Sequence, residues 1–208
     1  MKRYLIGAGG HATVLSDIAR KNKIEISGVF IDKNAKNITI YPVIDEIKNI
    51  INYKEDEFIF AFGNVKIRKQ MEQEFSKYGI KWFSLIDESA IISEDVTIGK
   101  GTVIMPGAII NAGAKIGDHA IINTGVIVEH GCNIENHVHM SPRSVICGNS
   151  IIRSGTWIGA GSTIIDEIEI GSDSIVGAGS VVVNDVPSNQ TVMGVPAREK
   201  VKSMKRWY

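Results

Sequence analysis

The chain has 208 residues, enough for one or two domains. Its 23 basic and 23 acidic residues cancel, which excludes a net charge that would draw it to nucleic acid or a membrane surface. The two cysteines, Cys132 and Cys147, lack a C-x-x-C spacing and argue against structural zinc or a disulfide framework; no apolar run reaches the about 18 residues of a membrane span.

Met1 leads directly into a strand rather than a signal peptide, so a soluble cytoplasmic protein is expected. Residues 3–7 read as a buried strand. Gly7-Ala8-Gly9-Gly10-His11-Ala12 follows, then a helix over 13–22 with Val14, Leu15 and Ile18 at helical spacing. Strand, glycine turn and helix open a dinucleotide-type fold, in which glycine lets backbone approach a phosphate and the helix start favours an anion. The turn matches G-x-G-x-x-A, a weak motif alone, strengthened by the strand before it and the helix after it. A second strand is expected over 24–31. It ends at Asp32, 25 residues after Gly7, where an acid commonly accepts from a ribose or base. A short helix over 44–51, a strand over 58–62 ending at Gly63-Asn64, a helix over 65–78 and a strand over 80–85 complete a βαβαβαβ unit. That unit, too short for a full dinucleotide domain, is expected to hold one nucleotide, or half of one; the alternative is that the glycines merely allow a tight turn.

From Ile86 to Val182 an aliphatic residue returns at every sixth position without an insertion, usually two residues after a small one such as Ala108, Thr156 or Ser162. Period six fits neither a helix nor plain strand alternation, but it fits a short strand plus a corner. Three hexads close one 18-residue triangular coil, and at about 4.8 Å per stacked strand the prism is roughly 27 Å long. Residues 1–85 are thus expected to form the Rossmann-like α/β domain, 86–187 the all-β parallel β-helix, and 188–208 a C-terminal tail whose residues 199–207 add a short helix.

The 18-residue register places the histidines. His119 and His137 should stack on adjacent coils. His130 should lie near a corner with Gly148 one coil on, leaving room for a ligand beside the ring. His139 should point outward, with Trp157 one coil on.

The unbroken hexads, the Gly194-Val195-Pro196-Ala197 tail and the preceding Gly-Ala-Gly-Gly-His-Ala turn together resemble the left-handed β-helix, hexapeptide-repeat acyltransferases. More narrowly they are similar to the sialic-acid O-acetyltransferase and UDP-N-acetylbacillosamine N-acetyltransferase family. The resemblance implies left-handed coiling, a homotrimer, acetyl-CoA as co-substrate in a groove between adjacent prisms, and no metal. It implies transfer to the amino group of a nucleotide-linked amino-dideoxy sugar of the UDP-4-amino-sugar type, in bacterial glycan biosynthesis. The stretch Val128-Glu129-His130-Gly131, with His139 nine residues on, matches the family's base motif. His130 is therefore the expected general base and His139 an acetyl-CoA contact. Gly131 departs from the pattern, which has an acid there to orient the imidazole; Glu129 or a neighbouring subunit's carboxylate would have to replace it. Gly148, Ala160 and Ala178 are the expected acetyl-CoA backbone contacts, with the Gly148 amide as oxyanion donor. Gly9, Gly10, His11, Asp32 and Gly63 are the expected substrate contacts. Transfer is expected to be direct, without an acyl-cysteine. Rival readings are O-acetylation of a sialic-acid-type sugar, a γ-carbonic-anhydrase-like metal enzyme using the stacked histidines, and a non-catalytic trimeric module.

Overall fold

The computed structural model describes residues 1–200. The helix expected over 199–207 lies outside the described residues beyond 200; Arg198–Glu199 is a short strand antiparallel to Thr191–Met193.

The first domain is a five-stranded parallel sheet. Its elements are β1 (Arg3–Ile6), α1 (Gly10–Lys21), β2 (Gly28–Ile31), β3 (Val43–Glu46), β4 (Glu57–Phe60), α2 (Val65–Phe75) and β5 (Lys81–Trp82), with strand order β3–β2–β1–β4–β5. Tyr4, Leu5 and Ile6 are all buried, as a parallel strand covered on both faces requires. On α1, Ala12, Leu15, Ile18 and Ala19 form the stripe that packs on the sheet, and Arg20 and Lys21 sit favourably at its carboxyl end. Asn64 caps α2: its Oδ1 accepts from the Ile67 amide at 3.0 Å.

Several boundaries differ from the sequence expectation. α1 starts at Gly10, so His11 lies inside its first turn. β2 is confined to Gly28–Ile31, because the Ile24 amide is taken by the Ala19 carbonyl in the helix exit. The expected helix over 44–51 is instead strand β3 followed by a 3-10 helix, Ile47–Tyr53, since Ile44 and its neighbours add an edge to β2. The segment 80–85 is divided: Lys81–Trp82 pairs with β4, whereas Leu85–Ile86 pairs with Val103–Ile104 and opens the prism.

The second domain is a three-sided parallel prism. Each strand of the hexad run has two residues, the second of which points inward; Ile104, Ile110, Ile122, Ile134, Ile146 and Ile158 are fully buried in one core. Coils join through backbone bonds such as Ile121 N–H to the Val138 carbonyl, 2.9 Å. The small residues carry a further logic. Thr102, Ser150, Thr156 and Ser162 are buried, and each hydroxyl donates to a carbonyl fifteen residues on, at 2.8–2.9 Å. A buried hydroxyl so satisfied is tolerated where an unpaired one would cost stability. The prism outlasts the hexads: Thr191–Met193 pairs with Ile175–Val176 sixteen residues earlier, two fewer than elsewhere. A shortened last corner hides this strand from an 18-residue count.

The three faces differ. One bears Leu85, Val103 and Ile121, which share a core with Leu5, Ala12 and Leu15 of the first domain, and then His139, Trp157 and Ile175. The second presents Ile91, Ile109, Ile127, Val145, Thr163 and Val181 outward, with Ile91 65% exposed. The third is mainly polar: Thr97, Lys115, Asn133 and Glu169 lie on it beside Ile151, and Arg153 bridges Glu135 and Glu169 at 2.8 Å each. No helix among the described residues is long and apolar enough to cross a membrane.

Candidate active site

The strand order reverses between β1 and β4, and the crevice at their carboxyl ends is the natural ligand position of an open parallel sheet. Gly7 to His11 form one wall. Gly7 has φ +106°, a left-handed conformation that favours glycine. Gly9 precedes α1 without a side-chain cap, no acid occupies the first turn, and Gly9 and Gly10 face open space. Backbone amides at such a helix start are of the kind that suits an anion. Asp32 is exposed just beyond β2, and Gly63 and Asn64 follow β4. Residues 33–41 return over the glycine turn, where the Ile38 amide donates to the Ala8 carbonyl at 3.0 Å.

Two of the expected sites meet. His139 Nδ1 lies 3.0 Å from the Gly63 carbonyl, which can only accept, so this nitrogen carries the proton. Its Nε2 then accepts from Asn123 Nδ2 at 3.3 Å. The Gly63 carbonyl also accepts from Arg68 Nη1 at 2.9 Å, and Arg68 Nη2 donates across the domain boundary to the His137 carbonyl at 3.0 Å. Arg68 is 1% exposed, and burial pulls its guanidinium down to about 9. Burial first, then the nearby Arg68 charge, hold His139 down to about 3 and His11 to about 4. Both are neutral at pH 7. His11 Nε2 is buried without a partner among the described residues. Both ring nitrogens of His139 thus have partners within the chain, at the junction of the two domains.

Further along the same face, Ser141, Pro142, Trp157, Gly159, Ala160, Ile175, Gly177, Ala178, Thr191, Met193 and Lys200 line a cavity of about 290 Å³. Ala160 and Ala178 lie together there. Gly148 does not; it lies on another corner, after the strand Val145–Ile146, with His130. A Cβ on Gly148 would sit 2.7 Å from Cε1 and Nε2 of His130. The ring therefore stacks over Gly148, in the space a side chain there would take. The Gly148 amide donates to Asp166 Oδ1 at 3.0 Å, so the expected oxyanion donor is already engaged within the chain. His130 is exposed. Gly131 has φ +67°, and a side chain there would run into the Asn149 amide oxygen one coil on. The place of the missing acid is thus taken by Asn149, and Glu129 makes no hydrogen bond to the imidazole among the described residues.

His119 and His137 stack as the register requires, 5.2 Å between centroids with planes 7° apart. They are packing residues. His119 lies edge-on to Trp82 at 4.8 Å and near Phe60, both its ring nitrogens are buried without partners, and α2 covers the pair. Among the described residues no group of three His, Cys, Asp or Glu could hold a metal ion. Cys132 is buried, its thiol pushed up to about 11 by burial and within reach of the Cys147 carbonyl at 3.1 Å.

Sequence reasoning missed Arg68 and Asn123, and placed Trp157 beside His139 without giving it a role. Arg68 had a signal: it shares i, i+3, i+7 spacing with Met71 and Phe75, which puts a cation in the buried stripe of α2.

The PglD N-terminal domain family matches residues 2–75, and the bacterial transferase hexapeptide (six repeats) family matches residues 149–184. UDP-N-acetylbacillosamine N-acetyltransferase of Bacillus subtilis is 38% identical over 109 residues, covering 49% of this chain and 50% of that protein. An uncharacterized protein of Acanthamoeba polyphaga mimivirus is 36% identical over 102 residues, 49% of this chain and 20% of its own length. The match therefore spans half or less of these curated relatives. Among solved structures, PerB from Caulobacter crescentus in complex with CoA and GDP-perosamine superposes with a TM-score of 0.90 at 32% identity, covering 97% of this chain and 98% of that one. The acetyltransferase domain of PglB from Neisseria gonorrhoeae in complex with acetyl coenzyme A gives 0.88 at 32% identity, with coverages of 96% and 98%.

Proposed function

The chain belongs to the left-handed β-helix, hexapeptide-repeat sugar acetyltransferases with a PglD-type first domain, and from that premise we propose that it transfers acetyl from acetyl-CoA to the amino group of a nucleotide-linked amino sugar.

One geometric relation carries this reading. The apolar face is flanked on one edge by the corner of Ala160 and Ala178 and on the other by the corner of His130 and Gly148. The two corners lie a full face apart in one chain. In a cyclic assembly that buries the apolar faces, the groove edge of one chain meets the His130 edge of the next. The outward column of Ile91, Ile109, Ile127, Val145 and Val181 supports such burial, and we assign a homotrimer. Height agrees as well. Ser141 and Pro142 precede the strand Val145–Ile146 and Gly148 follows it, so the near end of the groove lies level with His130 of a neighbour.

In this reading the nucleotide diphosphate sits on the amides at Gly9, Gly10 and His11, between Asp32 and Gly63. Ala160 and Ala178 flank the acetyl-CoA pantetheine through their backbone. The sugar amine attacks the thioester carbonyl and a C–N bond forms. His130 of the adjacent chain takes the N–H proton. The C–S bond then breaks, and the CoA thiolate leaves with that proton. A positioned base of this kind contributes about 10²–10⁴-fold. Asn149 occupies the space beside Gly131 that the family acid's side chain would enter.

The test is thiol release from acetyl-CoA with GDP-, UDP- and dTDP-linked 4-amino sugars, beside free sialic acid. Turnover is expected with one amino-sugar nucleotide and not with the free sugar acid. Turnover with the sugar acid alone would favour O-acetylation, and no turnover with any acceptor would favour the non-catalytic module.

A further inference from the structure

The groove beside Trp157 has two unlike ends. Lys200, Thr191 and Met193 lie at one; Ser141, Pro142 and the Trp157 indole at the other. A cation suits the phosphates of a CoA donor, so the acyl group belongs at the opposite end. In the proposed trimer the orientation is the same, because Ser141 and Pro142 lie level with Gly148, over which the His130 ring stacks.

That end is closed by a chain of fixed contacts. Trp157 Nε1 donates to Ser141 Oγ at 2.8 Å, and Ser141 is itself 7% exposed. The indole stacks on His139, with centroids 6.2 Å apart and planes 20° apart. His139 and Trp157 are register neighbours on adjacent coils. His139 is in turn held at both nitrogens, by the Gly63 carbonyl and by Asn123. The indole therefore cannot swing aside without breaking its own hydrogen bond and a stack anchored to the first domain. Packed walls of this sort resist added methylenes rather than yielding to them.

We propose that Trp157 is the specificity-determining residue that closes the acyl end of the donor groove and restricts the donor to a short acyl group, acetyl in preference to butyryl or longer. This rests on the acetyl-transfer reading above. Trp157 touches neither proton nor leaving group; it sets length. The ring is the largest side chain in the groove lining, and Gly159, Ala160, Gly177 and Ala178 beside it carry little or no side chain.

The experiment is calorimetric titration of the full chain with CoA, acetyl-CoA, butyryl-CoA and hexanoyl-CoA, which needs no acceptor. The unaltered protein is expected to bind acetyl-CoA and CoA alike and butyryl-CoA at least about tenfold more weakly, the scale of ill-fitting methylenes in an apolar pocket. Trp157→Ala should bring butyryl-CoA within about threefold of acetyl-CoA. Ser141→Ala, which removes the indole's acceptor, should fall between. Trp157→Phe keeps a ring and should keep most of the discrimination, and CoA binding by each variant reports that it is folded. Butyryl-CoA bound as tightly as acetyl-CoA by the unaltered protein, or an undiminished penalty in Trp157→Ala, would overturn the proposal while leaving the donor groove intact. Failure of the unaltered protein to bind CoA at all would overturn the groove and the proposal together.

Discussion

Two histidine columns of one prism meet opposite fates. His119 and His137 sit at the left-handed corner position, φ 55° and 61°, with Gly101 before them and Gly155 and Asp173 after. His130 sits on a different corner, one residue earlier in its hexad, with Gly148 and Asp166 one and two coils on. The repeat treats them alike: each is a polar residue in an 18-residue ladder. What differs is the cover. Helix α2 lies along the first column, sending Arg68 to the His137 carbonyl and Lys69 to Asp173, while Trp82 and Phe60 close over His119. Nothing of this chain's first domain reaches the second column, and His130 stays exposed. A repeat register thus gives an address, and the neighbouring domain decides whether the address is covered or open.

The sharpest way to break this contrast is a double exchange. His130→Ala should lower turnover about 10²–10⁴-fold while stability stays within about 0.5 kcal/mol, as for an exposed site. His137→Ala should do the reverse: turnover nearly kept, stability lowered by about 2–4 kcal/mol through a buried cavity. Thiol-release kinetics and denaturant titration read the two effects separately.

This contrast also marks how far the sequence could be read. The hexads specified the prism because a buried aliphatic every sixth residue admits few other packings. The stacking of His119 on His137 and of His130 on Gly148 followed from register alone. The cross-domain contacts did not. His139 pointed outward as expected, but outward on that face means toward Gly63, and no periodicity says which face another domain will cover. The same blindness made β3 look helical, since its partner β2 is distant in sequence from the local pattern. Likewise, the engaged Gly148 amide depended on Asp166, three hexads, or one full coil, further along the chain.

A second, smaller effect is expected with acid. Burial holds His119 to about 3, and His11 and His137 to about 4, whereas the unfolded chain protonates them near the usual 6.5. Between these limits the unfolded state binds more protons, so stability rises with pH. The contribution is fully present above pH 6.5 and is lost as pH falls toward 4, at up to about 1.4 kcal/mol per unit for each fully buried ring. Melting temperatures from pH 7 to pH 4 should fall steadily, and His119→Phe should flatten the slope. An unchanged slope in His119→Phe would mean that the stack is solvated.

The smallest effect concerns the rim of the covered column. Lys69 meets Asp173 at 2.8 Å, but the two side chains are 30% and 45% exposed. Lys69→Ala should cost at most about 1 kcal/mol in a denaturant titration, and less at high salt. A larger loss would show that the domains are held by this pair rather than by Arg68 and the apolar junction.

The claim that the exposed column does chemistry rests on its meeting another chain's groove. Subunit mixing tests it most directly. His130→Ala lacks the base, and Ala160→Trp fills the groove; each homotrimer should be inactive in the thiol-release assay. After exchange of an equal mixture, random assembly gives about one site in four an intact groove from one chain and an intact His130 from the next, so about a quarter of the unaltered activity should return. A mixed assembly that recovers no activity would contradict a site shared between chains.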